Sequence, residues 1–187
     1  ADTFLAAVQE LVSGGVIPAE RIALRFTGRT DSLHWLALEE QGILHLSGYV
    51  DHKTAISHML ESDVLLLILT HERGADTIPG KTFEYLGSRR PILALVPPQG
   101  AAAAIIREAK AGLVVDPQDV EQIKEAIVYL FNRWQEGQLA AETDPEYIQQ
   151  YTRRQLAGKL AGFLDSLCHT RESPLWMATV RLKIGGD

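Results

Sequence analysis

Residues 62–70 read Ser62-Asp63-Val64-Leu65-Leu66-Leu67-Ile68-Leu69-Thr70, an unbroken aliphatic run between polar flanks. A run without alternation belongs to a strand covered on both faces, the signature of a parallel sheet sandwiched by helices. Comparable runs occur at 21–27, 43–47, 91–96 and Gly112–Val115. Between them the apolar residues recur at helical spacing, over about 3–12, 32–40, 53–61, Lys81–Ser88, 101–110 and 120–134. Strand and helix therefore alternate, which predicts an α/β fold with one parallel sheet flanked by helices. The punctuation agrees, because Asp119 stands where an N-cap belongs and Gly112 closes the helix before it. Beyond residue 139 the spacing predicts one final amphipathic helix over about 145–167, with Leu156, Leu160, Phe163, Leu164 and Leu167 on one stripe. In the tail, Val180, Leu182 and Ile184 alternate with Thr179, Arg181 and Lys183, as in a strand with one wet face. Such a segment is no central strand of this sheet; an edge strand, an oligomer contact or a non-native extension all fit. The expected division is a domain at 1–167 and a tail at 168–187.

The 187 residues suit one domain with a sizeable core. Hydrophobic residues make up 46% and charged residues 22%, an ordinary globular balance. A formal charge of -6 at pH 7 argues against a nucleic-acid partner, and the pairs Arg89-Arg90 and Arg153-Arg154 do not form a basic face. The lone Cys168 makes no internal disulfide, so the expected location is cytoplasmic. The aliphatic run 64–69 is far below the ~20 residues of a membrane span, and no basic-then-apolar signal opens the chain.

In parallel α/β sheets ligands sit beyond the carboxyl ends of the strands. The most informative loop there joins Thr70 to Lys81, long for its kind and running through Gly80-Lys81-Thr82 straight into a helix. A helix start offers unpaired N–H groups and partial positive charge to a phosphate, Gly80 admits the ligand to the backbone, and Lys81 adds a full charge. It is not a P-loop, since Ala75 occupies the position that motif gives to glycine. A glycine cap followed by a solvated lysine is the plainer alternative. Glu84, one turn on, is spaced to face the strand ends and accept both hydroxyls of a ribose, or to be a surface glutamate; Phe83 and Leu86 are expected to face the core.

The stretch Ile78-Pro79-Gly80-Lys81-Thr82-Phe83-Glu84-Tyr85-Leu86, followed by Arg90-Pro91-Ile92-Leu93-Ala94-Leu95, resembles the donor-site signature of retaining GT-B glycosyltransferases of the group 1 family. Upstream, Leu46-Ser47-Gly48-Tyr49-Val50 and Ser62-Asp63-Val64-Leu65-Leu66-Leu67 are similar to the strands preceding that motif. Downstream, Gly112-Leu113-Val114-Val115-Asp116-Pro117 is similar to its last strand and turn, so the likeness spans roughly 4–167. The resemblance implies two Rossmann-like domains facing across a cleft, of which this chain resembles the C-terminal one that binds a nucleoside diphosphate sugar. It implies that Glu84 holds the ribose and that Gly80, Lys81 and Thr82, led in by Pro79, lie against the diphosphate. It further implies that Asp76, eight positions before Glu84, contacts the sugar hydroxyls, although the family commonly has glutamate there. The loop 48–53 would edge the nucleobase through the backbone of Tyr49 and Val50, and Gly28-Arg29 would approach the donor or form a plain turn. In the family the domain opens with a central strand and a phosphate loop, whereas Ala1-Asp2-Thr3-Phe4-Leu5 looks like the helix after that loop. The domain is thus expected to lack its first strand, and the partners expected are the nucleotide sugar and an N-terminal acceptor-binding domain.

No metal is expected: His71 and Glu72 are adjacent, His52 and His58 read as helix surface, and lysine with the helix dipole suits the leaving diphosphate. No cofactor is expected beyond the nucleotide sugar itself, which is a substrate. Trp35 and Trp134 read as packing residues and Cys168 as a buried or idle thiol. Two rival readings share the sheet. A GT-B nucleotide-sugar epimerase would act on donor alone. A non-catalytic module of the response-regulator type needs an acidic cluster at its strand ends, where the first strand instead ends in Thr27-Gly28-Arg29.

Overall fold

A computed structural model describes residues 1–28, 36–70 and 75–169 of the chain. Arg29, Trp35, His71, Glu72, the beginning of the helix expected at 32–40 and the strand-like tail lie outside the described residues. The chain forms two units, Ala1–Ile148 and Gln149–Asp187.

The first unit runs α1 (Asp2–Ser13), a short 3-10 turn (Ala19–Arg21), β1 (Leu24–Phe26), α2 (Leu36–Glu40), β2 (Leu44–Leu46), α3 (His52–Glu61), β3 (Leu65–Ile68), α4 (Lys81–Ser88), β4 (Ile92–Leu95), α5 (Ala101–Glu108), β5 (Gly112–Val115) and α6 (Val120–Gln135). Every strand pairing is parallel, with β1 beside β2 and the order β3-β4-β5 in the other group. The single sheet expected from the sequence is thus two sheets among the described residues: β1 is bonded only to β2, and β3 only to β4. The crossover α3, which joins the two sheets, has no buried residue.

The core lies on both faces of β4, whose four residues are all buried. On one side Leu93, Leu95 and Val115 join Phe4, Leu5 and Val8 of α1 and the stripe Ile123, Ala126, Ile127 and Leu130 of α6 in one apolar cluster. That stripe has the i, i+3, i+4, i+7 spacing of a helix packed along one face. On the other side Ile92, Ala94 and Val96 are buried, and α5, which packs against β4 and β5, buries Ala102, Ala103, Ile105 and Ile106. The small alanines let α5 approach the sheet closely. Gly112 has no alternative at the head of β5, since a Cβ there would run into the Ile92 carbonyl.

The final helix differs from expectation. It is divided into α7 (Pro145–Gln149) and α8 (Arg153–His169). The break follows from capping chemistry: the Gln155 N–H donates to the Thr152 hydroxyl at 3.4 Å, while the Thr152 N–H turns back to the Gln149 carbonyl. On α8, Leu156, Leu160, Phe163, Leu164 and Leu167 are exposed. No helix among the described residues is long and apolar enough to cross a membrane.

Candidate functional site

The helix that follows β3 begins on Gly80 and has no side-chain cap. Its first turn is tight, with the Thr82 N–H on the Pro79 carbonyl at 2.9 Å and the Phe83 N–H on the Gly80 carbonyl at 3.2 Å. Among the described residues, the amides of Gly80 and Lys81 are left as the donors of this helix start. Gly80 has right-handed helical dihedrals, φ -55 and ψ -36, which any residue adopts. Among the described residues, a Cβ there would meet nothing within 4 Å. Neither conformation nor packing inside the chain therefore demands glycine at this position, and the open face suits approach by something from outside.

Lys81 lies at that open end with its ammonium 5.9 Å from the centre of the Tyr85 ring, one turn along the helix. Tyr85 is half-buried, and its hydroxyl donates to the Leu66 carbonyl of β3 at 3.4 Å, which ties the helix to the strand. Although Lys81 as a residue is exposed, the packing around its side chain pushes its pKa below the ordinary lysine value. Burial, with the charge of Glu84 alongside, pushes the Tyr85 hydroxyl above its ordinary value.

Glu84 is exposed, as its place one turn from the open end requires. The inward face of α4 is set by Thr82 and Leu86, one turn apart and 0% and 1% exposed. Phe83, expected in the core, is instead 37% exposed, because a 100° step around the helix carries it off the Thr82–Leu86 line. Thr82 takes the inward place, and its hydroxyl is buried without a hydrogen-bond partner among the described residues. That side chain is walled off from solvent, so only the backbone of this turn reaches the open end.

The other expected residues are dispersed around the strand ends. Asp76 and Pro79 lie on the approach to α4, Asp76 exposed and Pro79 half-buried. Tyr49 is 90% exposed beyond β2, with Val50 half-buried beside it. Gly48 holds this loop against the end of β1 by accepting the Gly28 N–H at 2.6 Å, with both glycines at positive φ. Asp51 then caps α3 by accepting from the Thr54 N–H and hydroxyl, bonds that hold its carboxyl below the ordinary aspartate range. His58, taken from sequence as helix surface, is half-buried and hydrogen-bonded to Thr27 Oγ1 at 3.1 Å. Trp134 stacks on Phe131, with the Arg21 guanidinium 5.7 Å from its ring centre. Cys168 is exposed.

A wide groove of about 840 Å³ lies between β1 and α3 and borders this region through Ser47, Asp51 and Lys53. The Arg25–Glu61 ion pair at 3.1 Å belongs to its lining, and none of Asp76, Gly80, Lys81 or Glu84 lines it. The anion-directed features stand at the start of α4 instead.

Residues 1–133 match the family model described as glycosyl transferases group 1. The chain belongs to that family. The match covers every element from α1 through most of α6, including the α4 signature, and with the parallel strands and flanking helices it makes the transferase a Rossmann-like GT-B domain. No curated protein matches the transferase sequence. Tyr85 and the tie from Gly28 to Gly48 had no expected role in the sequence. Lys81 and Tyr85 stand at i, i+4 on a helix, and that spacing was the available signal for one of them.

Proposed function

We propose that this transferase domain binds a nucleoside diphosphate sugar across the start of α4 and serves as the donor half of a retaining enzyme that passes the sugar to an acceptor. The observation that carries the reading is the uncapped helix start at Gly80, open on its outer side, with the Lys81 ammonium at its rim and the Glu84 carboxylate exposed one turn further on. In this reading the Gly80 and Lys81 amides and the lysine charge take the diphosphate, where negative charge grows as the glycosidic bond to the leaving group breaks. Glu84 accepts the ribose hydroxyls. Asp76 faces the sugar, and the exposed Tyr49 with Val50 borders the base.

The same reading assigns the acceptor site to a second, N-terminal Rossmann-like half facing this one, and leaves this chain alone without turnover. It also assigns a further parallel strand to the space between the free edges of β1 and β3. The separation of the sheets and the unburied α3 that spans them support that assignment.

Lys81 supplies the test. In the intact enzyme, Lys81→Ala should weaken a nucleoside diphosphate at least ~10-fold, about 1.4 kcal/mol, and leave the parent nucleoside within ~2-fold. Its pH dependence has a definite sign. Lysine binds the anion only while protonated and its pKa is lowered from 10.5, so affinity is full below that lowered value and falls as pH rises through it. The alkaline loss should therefore begin earlier than a free lysine would give, and should be absent in Lys81→Ala. Equal losses for diphosphate and nucleoside, measured by titration calorimetry, would make Lys81 a structural residue.

A further inference from the structure

We infer that Gly100 is a positioning residue for the donor loop, fixing the stretch that carries Asp76 against the first turn of α5; the inference rests on the donor reading above. Gly100 has φ -82 and ψ 164, ordinary extended backbone, so its dihedrals do not call for glycine. Space does. A Cβ at this position would stand 2.9 Å from the Ala75 carbonyl oxygen, 3.0 Å from that of Pro97 and 3.5 Å from the Ala75 Cα. All three are backbone atoms, which cannot swing aside as the end of a side chain can.

The close approach has a purpose in hydrogen bonding. The start of α5 has no side-chain cap, and the Ala101 N–H donates instead to the Ala75 carbonyl at 2.7 Å. The donor loop thus caps a helix from another part of the chain. The turn that receives it is held in its own right, by the Gly100 N–H on the Pro97 carbonyl at 2.8 Å and the Arg107 guanidinium on the Pro98 carbonyl at 2.5 Å. Asp76 is the residue after Ala75, so this anchor sets where its exposed carboxylate stands. Lys81 and Glu84 ride on α4, which is tied separately to β3 through Tyr85. Loosening the Ala75 anchor should therefore disturb the sugar end of the donor and spare the nucleotide end.

Two substitutions in the intact enzyme test this. Gly100→Ala inserts the clashing Cβ. Ala101→Pro removes the N–H at the first helical position, where proline is tolerated, and the extended Gly100 is compatible with a following proline. Each protein is titrated with UDP-glucose, GDP-mannose and ADP-glucose, each beside its sugar-free diphosphate, with a thermal melt to establish folding. For the pair that the unsubstituted protein binds, both variants should lose ~10-fold or more for the nucleotide sugar and less than ~3-fold for the diphosphate. Should Gly100→Ala fail to melt cooperatively, Ala101→Pro decides by the same ratio. A folded variant that binds both as well as the unsubstituted protein, or loses both equally, overturns the anchor while leaving the donor site intact. Failure of the unsubstituted enzyme to bind any of the six overturns the donor reading itself.

Discussion

Among the described residues, an added side chain at Gly80 would meet open space, whereas at Gly112 it would meet the Ile92 carbonyl. The two glycines therefore make opposite predictions. Gly80→Ala should leave folding stability within about 0.5 kcal/mol, because the dihedrals are already helical, yet weaken nucleoside diphosphate binding by crowding the helix start. Gly112→Ala should cost roughly 3 kcal/mol or more, since backbone on the neighbouring strand must move. Thermal melts of the two variants, with a binding titration of the first, check both. A stability loss at Gly80 as large as at Gly112 would show that Gly80 serves the fold. Thr82 fits the same logic: its buried hydroxyl has no partner among the described residues, a cost the core bears directly beneath the proposed site.

The α6 helix illustrates how an element is specified at its ends. Asp119 accepts from the Gln122 N–H at 3.0 Å and from the Gln122 side-chain amide at 2.5 Å, closing the first turn, while Ile123, Ala126, Ile127 and Leu130 fill the core. Asp119→Ala should cost about 1 kcal/mol, a fall of roughly 2–4 °C in Tm, without changing ligand binding. A melt unchanged within error would mean that tertiary packing alone holds α6. That cap was legible in the sequence, as were the five strands of the described residues and the run Lys81–Ser88, because continuous apolar runs, Asp and Gly punctuation and helical spacing are local signals. What was not legible depended on how the chain turns, rolls and pairs rather than on which residues it contains. Thr152 ends one helix and caps another only because of how the chain turns there. Phe83 and Thr82 exchanged their expected places because hydrophobicity names an apolar residue without saying which way the helix is rolled. The division into two sheets is likewise a matter of which strands lie side by side, which periodicity does not report.

Across the whole molecule, the features proposed to hold the donor come from separate loops at the strand ends. Gly48 and Tyr49 follow β2, Asp76 and Gly80 follow β3, and Gly100 follows β4. β3 and β4 are parallel neighbours, so the loops that follow them emerge at one end of their sheet, which is how Asp76, Gly80 and Gly100, apart in sequence, can serve one ligand. The candidate residues on α4 were readable from the sequence because Gly80, Lys81 and Glu84 lie within one turn of each other. Gly100 was not, since its partner Ala75 is distant in the chain. Whether Glu84 holds the donor ribose is decided by a double-mutant cycle. In the intact enzyme, the natural protein and Glu84→Gln are each titrated with a nucleotide-sugar donor and its 2′-deoxy and 3′-deoxy forms. A carboxylate hydrogen bond contributes ~1.5–3 kcal/mol, so Glu84→Gln should cost at least ~10-fold in donor affinity. The deoxy donors should lose much of that energy against the natural protein and little more against Glu84→Gln. A deoxy penalty that is the same in both proteins would mean that Glu84 does not touch the ribose and would contradict the account.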